Sequence, residues 1–186
     1  GLKADGSIVA WGAGEAGESG WEDYGQSVVP TPNTGFVAIA AGSGHSLGLR
    51  TDGSIVAWGC GGWDPWGYCY TSAPLPPPPN TGFVAVDGGY QHNLALKADG
   101  SIVTWGTADY RNGLNNVPPP NRDFVAVSAG WFHSLGLKAD GSIAVWGIDY
   151  SGQTNSPSPN TGFTAISSSD NHNLCLKADG SIVGWG

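Results

Sequence analysis

The sequence predicts an all-β fold: a β-propeller of four-stranded antiparallel blades, of which about four are present. Three observations predict it. A string close to LKADGSIVAWG occurs five times, starting at Leu2, Leu49, Leu96, Leu137 and Leu176. A second string, PNTGFVAIAAG at residues 32–42, returns from Pro79, Pro120 and Pro159. No stretch sustains a helical period, because Asp-Gly, Gly-rich and Pro-rich punctuation breaks every candidate. Repeats of roughly 40–50 residues built from short β-segments are the signature of blades.

Each unit has a rigid half and an elastic half. Phe36 to Trp58, Phe83 to Trp105, Phe124 to Trp146 and Phe163 to Trp185 are all separated by 22 residues. The distance from each Trp to the next Phe drifts from 25 to 17. Fixed spacing predicts paired strands whose register cannot slip, and variable spacing predicts surface loop. In the rigid half, FVAIAA forms one strand and HSLGLR the next. The K-A-D-G-S segment forms a tight turn with Gly at positive φ, and SIVAWG forms the third strand. In the elastic half, residues 26–30 (QSVVP), 116–118 (NVP) and 153–155 (QTN) are the expected fourth strands, with Pro suiting an edge. The run Phe36, Val37, Ala38, Ile39, Ala40 is apolar on both faces, which predicts sheets covered on both sides. The units are read as 1–35 (partial), 36–82, 83–123, 124–162 and 163–186 (partial), within one domain.

The combined pattern G-x-x-H-S-L-x-L-K-x-D-G-x-I-x-x-W-G, followed by G-Q-x-x-V-P, resembles the repeat of the regulator of chromosome condensation family. The V-P-x-P-N-T-G-F linkers look closest to its bacterial branch, which includes the propeller-type β-lactamase inhibitor proteins. The resemblance spans essentially the whole chain. It implies a ring that usually closes with seven blades, so these residues are expected to form an arc or fragment of one. There are five Trp-Gly strands but four FVA strands, and there is no Met. A chain processed from, or part of, something longer is expected, with sheet edges open to self-association.

Composition narrows the functions. Gly (31) and Pro (13) sit at fixed repeat positions and mark turns rather than low complexity. No apolar run is long enough to span a membrane. Five of seven basic residues (Lys3, Arg50, Lys97, Lys138, Lys177) stand two positions before a turn Asp (Asp5, Asp52, Asp99, Asp140, Asp179) and cancel it, so the net charge of −8 belongs to the variable loops. An acidic surface argues against nucleic acid or an anionic membrane as partner.

The candidate site is a cluster of aromatic loops. Antiparallel order places the loop before each repeated His at the same end as the loop after each Trp-Gly. Eleven aromatics outside the framework map there: Trp21, Tyr24, Trp63, Trp66, Tyr68, Tyr70, Tyr90, Tyr110, Trp131, Phe132 and Tyr150. Trp and Tyr bury much area at little entropic cost, so this end is read as a partner-binding face. In the resembling inhibitors, matching loop positions meet the target enzyme. Inhibition of a partner enzyme is therefore one alternative, and a lectin-like face stacking on glycans or a structural subunit joined through open blade edges are others. Nucleotide exchange on a small GTPase is the family's other activity, and no motif here carries it.

No catalytic set, cofactor or metal is expected. His45, His92, His133 and His172 share one repeat position, but equivalent positions in radiating blades lie too far apart for one ion, so hydrogen bonding inside each blade is expected. Trp11, Trp58, Trp105, Trp146 and Trp185 are read as inter-blade packing. Glu15, Glu18, Glu22 and Asp23 read as a solvated acidic loop. Cys175 replaces a small framework residue and should be buried. Cys60 and Cys69 flank GGWDPWGY; joined, they would pre-order that loop and imply an oxidising, extracellular or cell-surface setting, and unjoined they are two free thiols.

Overall fold

The computed structural model describes residues 1–14, 24–63, 69–72, 75–106 and 113–186, with backbone only at 61–63 and 69–72. Thirteen strands are present among the described residues. The first sheet is β1 (Phe36–Ala41), β2 (His45–Arg50), β3 (Ile55–Trp63) and β4 (Cys69–Ser72). The second is β5 (Phe83–Gly88), β6 (His92–Lys97) and β7 (Ile102–Gly106). The third is β8 (Phe124–Ala129), β9 (His133–Lys138) and β10 (Ile143–Gly147), and the fourth is β11 (Phe163–Ser168), β12 (Asn173–Lys177) and β13 (Ile182–Trp185). All pairings are antiparallel, giving a partial propeller of four blades. The first strands β1, β5, β8 and β11 contact one another in that order, so they line the axis.

Two expectations are corrected. The fourth strands expected at 26–30, 116–118 and 153–155 are turns and irregular chain instead. Carbonyls in or beside these segments serve a different purpose: Gln26, Leu114 and Gln153 accept the indole N–H of Trp58, Trp146 and Trp185 at 2.8–3.0 Å. A side-chain donor occupies the place a ladder partner would have needed. The first blade does have a fourth strand, β4, which pairs with a lengthened β3. The second correction concerns coverage. A bulge after the Phe of each first strand turns Val37, Val84 and Val125 outward, leaving them 51–53% exposed, so the apolar run is not covered on both sides throughout.

Each hairpin turn is built identically. The carboxylates of Asp5, Asp52, Asp99, Asp140 and Asp179 accept the backbone N–H (2.9 Å) and hydroxyl (2.6 Å) of the Ser two residues on. Those bonds hold the carboxyls below their ordinary pKa. The preceding cation lies over the Phe ring of its own blade, as Arg50 over Phe36 (5.1 Å) and Lys138 over Phe124 (5.2 Å).

The core is a series of equivalent joints between blades. Strand alternation puts Leu47, Leu49 and Ile55 on the trailing side of blade 1, against Phe83, Ala95 and Trp105 on the leading side of blade 2. Leu94, Leu96 and Ile102 meet Phe124 and Trp146 in the same way. Leu135, Leu137 and Ile143 meet Phe163 and Cys175. Each trailing residue in these joints is at most 4% exposed. Burying one such side chain contributes about 1.5–3 kcal/mol, so the joints dominate stability. Cys175 is buried and free as expected, with its thiol pushed up to about 11 by burial. Trp105 and Trp146 pack as expected, but Trp11 is 72% exposed.

Polar groups close each joint at both rims. At the lower rim, the linker Asn grips the third strand of the preceding blade. Asn33 accepts from Ile8 N and donates to Ile8 O, and Asn80, Asn121 and Asn160 do the same to Ile55, Ile102 and Ile143, all at 2.7–2.9 Å. The Phe N–H of each blade also donates to the turn Gly carbonyl of the blade before, as Phe124 to Gly100. At the upper rim, His45 Nε2 meets Asn93 Oδ1 (2.6 Å), His92 meets Ser134 Oγ (2.9 Å) and His133 meets Asn173 Oδ1 (2.7 Å). These bonds cross between blades, which corrects the expectation of bonding inside each blade.

Candidate functional site

The upper rim carries the loops that differ. Tyr90 lies between β5 and β6, Trp131 and Phe132 lie between β8 and β9, and Tyr150 follows β10. Their rings form one cluster. Tyr90 stands 5.2 Å from Trp131 and 5.6 Å from Phe132, centroid to centroid. Phe132 meets Trp131 edge-on at 6.2 Å and Tyr150 at 5.8 Å. Edge-to-face geometry of this kind adds roughly 0.5–1.5 kcal/mol per pair beyond burial. Phe132 and Tyr90 are half-buried and support the outer two rings, Trp131 (43% exposed) and Tyr150 (66%).

Backbone bonds fix the cluster. Ile148 N donates to Phe132 O at 2.8 Å, tying the loop after β10 to the loop before β9. Gln153 is fully buried, and its Oε1 accepts the N–H groups of Tyr150 (3.1 Å) and Ser151 (2.7 Å). Its Nε2 donates to Ile148 O at 3.2 Å. Gln26 accepts from Tyr24 N in the same way, at 2.9 Å. Sequence reasoning placed both Gln residues in strands and missed this role. The signal was present in the Gly-Gln pair at 25–26 and 152–153, whose Gln accepts a backbone N–H from the loop that carries Tyr24 or Tyr150.

Beside Trp131 the axis opens as a cavity of about 210 Å³. It is lined by the first-to-second-strand loops of all four blades, among them Gly42, Gly89, Gly130 and Asp170. A Cβ on Gly130 would strike the His133 ring and the Ser169 carbonyl, so these glycines serve close packing. Just below, Asp87 Oδ2 accepts from Ala129 N of the next blade at 2.9 Å. Burial raises its pKa, an effect opposed by its bonds to Ala129, Gly88 and Ser128. Ser128 Oγ accepts from Ser168 N at 3.0 Å in the equivalent place one blade on.

The structure thus brings together Tyr90, Trp131, Phe132 and Tyr150 and places half-buried Tyr24 on another loop. Backbone pairing aligns Trp63 with Cys69 and puts Tyr70 in β4. Trp21, Trp66, Tyr68 and Tyr110 lie outside the described residues, as do Glu15, Glu18, Glu22 and Asp23. Cys60 is buried and disulfide-bonded. The side chain of Cys69 lies outside the described residues. No cluster of three or more metal-ligating side chains occurs among the described residues. No helix among them is long and apolar enough to cross a membrane.

One four-stranded and three three-stranded sheets around an axis, joined by cross-blade His and Asn bonds, define a class: partial β-propellers of short blades. The sequence profile of the Regulator of chromosome condensation (RCC1) repeat matches residues 36–62 and 124–153. No curated protein matches it in sequence. Among solved structures, Prp20p from Saccharomyces cerevisiae is similar with a TM-score of 0.72 and 19% identity, covering 100% of this chain and 54% of that one. Yeast RCC1 (Prp20), in a structure with bound Kap60, gives 0.62 and 20%, covering 81% and 43%. The ectodomain of the Physcomitrella patens receptor kinase CR4 gives 0.67 and 22%, covering 88% and 44%. The chain therefore spans about half the length of these proteins, and the likeness is one of fold.

Proposed function

We propose that this chain is a non-catalytic protein-recognition module whose aromatic upper rim docks a partner protein. The observation that carries the reading is the four-ring cluster, in which two half-buried rings hold Trp131 and Tyr150 out to solvent. Pre-ordered aromatics on backbone-tied loops are what interface hot spots are made of. The structural relatives are consistent with it: Prp20p was studied for binding to Gsp1p and histones, and yeast RCC1 was solved with Kap60. An inhibitor of a partner enzyme would use the same rim.

Replacing Trp131 and Tyr150 by Ala should weaken capture of a partner by tenfold or more, since hot-spot truncation costs about 2 kcal/mol or more. The chain should still fold, with its thermal transition lowered only by the loss of three ring contacts, each worth roughly 0.5–1.5 kcal/mol. Affinity retained by the double variant, or binding to a glycan array in place of any protein, would overturn the assignment. We further assign the partner of Cys60 as Cys69, a bridge that would order the loop between Trp63 and Tyr70. Mass spectrometry of unreduced protein should find one thiol free to alkylation, at Cys175; labelling of Cys69 would reject the bridge.

A further inference from the structure

The two rims of this propeller differ in charge. Arg50, Lys97, Lys138 and Lys177 close the second strands at the lower rim, each over the Phe ring of its own blade at 5.1–5.5 Å. Lys3 stands in the first hairpin, and Arg122 pairs with Asp123 at 3.4 Å in a lower-rim linker. Among the described residues, every Lys and Arg therefore stands at the lower rim. The upper rim has Asp87 at the end of β5, Asp149 in the loop after β10 and Asp170 in the loop between β11 and β12. The aromatic cluster thus sits among carboxylates that no described Lys or Arg answers, in a chain of net charge −8.

One loop position joins ring and carboxylate. Two residues before each repeated His stand Ser43, Tyr90, Trp131 and Asp170, in blade order. A step of one blade at this position brings Tyr90 to 5.2 Å from Trp131, with the rings tilted by 31°. The next step leads from Trp131 to Asp170. Both residues line the axial cavity of about 210 Å³, whose other walls are loop Gly, Ala and Ser residues. Trp131 cannot turn away from it freely, because Tyr90 backs the indole and Phe132 meets it edge-on at 6.2 Å. The cavity is smaller than the roughly 300–1,000 Å³ of pockets for drug-sized ligands, a size that suits one side chain.

We propose that this cavity receives an arginine side chain of the partner protein, its guanidinium stacked on the Trp131 indole and paired with the Asp170 carboxylate. The inference rests on the upper rim being the partner-binding face, and it states what the partner must present there. A cation over an aromatic face is attracted by the ring's negative π-surface, most strongly by Trp. Arginine suits the pair better than lysine, because its planar fork stacks on a ring while donating two hydrogen bonds to one carboxylate. The chain uses the same attraction internally, where Arg50 lies 5.1 Å from the Phe36 centroid. The acidic rim would also speed encounter with a basic partner surface, an effect that salt screens.

Titrating N-acetylarginine methylamide into the nitrogen-15-labelled full chain at pH 7.5 tests this, with the Trp131 indole N–H signal assigned through Trp131→Phe. That signal should shift and saturate, and the uncharged citrulline analogue at the same millimolar concentrations should leave it in place. Asp170→Asn should weaken the arginine response about threefold or more. Asp123→Asn removes the same charge at the lower rim, at a φ of +66° that Asn tolerates, and should change nothing. An unmoved Trp131 signal, equal responses to the two probes, or equal losses in the two Asp variants overturns the proposal. With a captured partner, the two readings separate. If Trp131→Ala with Tyr150→Ala abolishes capture while Asp170→Asn and added salt leave affinity unchanged, the rim stands and the arginine site falls. Capture that survives the double ring variant brings down the rim reading and this proposal with it.

Discussion

Acidification from pH 6.5 toward pH 4 should strip this fold of stability well before its carboxylates are neutralised. Burial lowers the pKa of His45 and His133 and takes His92 to about 4, with its histidine neighbours adding to the effect. The folded state therefore refuses protons that the unfolded chain accepts near 6.5. A group depressed in this way leaves stability intact above the unfolded value and removes it progressively as pH falls toward the folded one. For His92 alone the loss approaches roughly 3 kcal/mol. Urea unfolding at pH 7.5, 6.0 and 5.0 should show a falling midpoint. The variant His92→Gln, whose amide can either donate to or accept from the Ser134 hydroxyl, should flatten that fall while costing a little at neutral pH. An unaltered midpoint across this range would mean the joints are not closed by neutral imidazoles.

The second large effect is expected at Gly147. Its φ is +113°, in the region that favours glycine, and a Cβ there would lie 2.5 Å from the Phe132 carbonyl and 2.7 Å from the His133 Cα. Both obstacles are backbone, which cannot swing aside. Gly147→Ala should cost roughly 2–4 kcal/mol in denaturant unfolding, through backbone strain and overpacking together. It should also disturb the rim, because the same Phe132 carbonyl accepts from Ile148 N and carries the ring between Trp131 and Tyr150. By contrast, Gly162→Ala meets only the strain, since its Cβ would find no atom within 4 Å at φ +76°. Equal costs at the two positions would show that crowding at Phe132 plays no part.

Much of this architecture was legible because it depends on spacing. The constant separation of Phe and Trp reports a three-strand ladder whose register the bulge and the hairpin both fix, and those strands are where the repeat put them. The edge segments were misread because QSVVP has the composition of a strand, and nothing local reveals that the Gln26 carbonyl is taken by an indole 32 residues away. Nothing local marks out the linker Asn either, whose amide grips the neighbouring blade. The direction of the histidine bonds was missed for a related reason. Equivalent positions in radiating blades are remote from one another, but His45 and Asn93 are not equivalent, and an offset of one residue brings them to 2.6 Å. The grouping of Tyr90 with Trp131, Phe132 and Tyr150 followed from antiparallel order alone, whereas the contacts among the rings required coordinates.

The amide clamps at the lower rim have a consequence for how such a molecule can change. Every seam there is written in the same few atoms: one Asn side chain, one Gly carbonyl and one Phe N–H. Duplicating or excising a whole unit would therefore present the adjoining units with the grip they already recognise, and chain length could evolve in steps of a blade. Variation within a unit is greatest at the opposite rim, where a loop can be rewritten without the register of its neighbours being consulted.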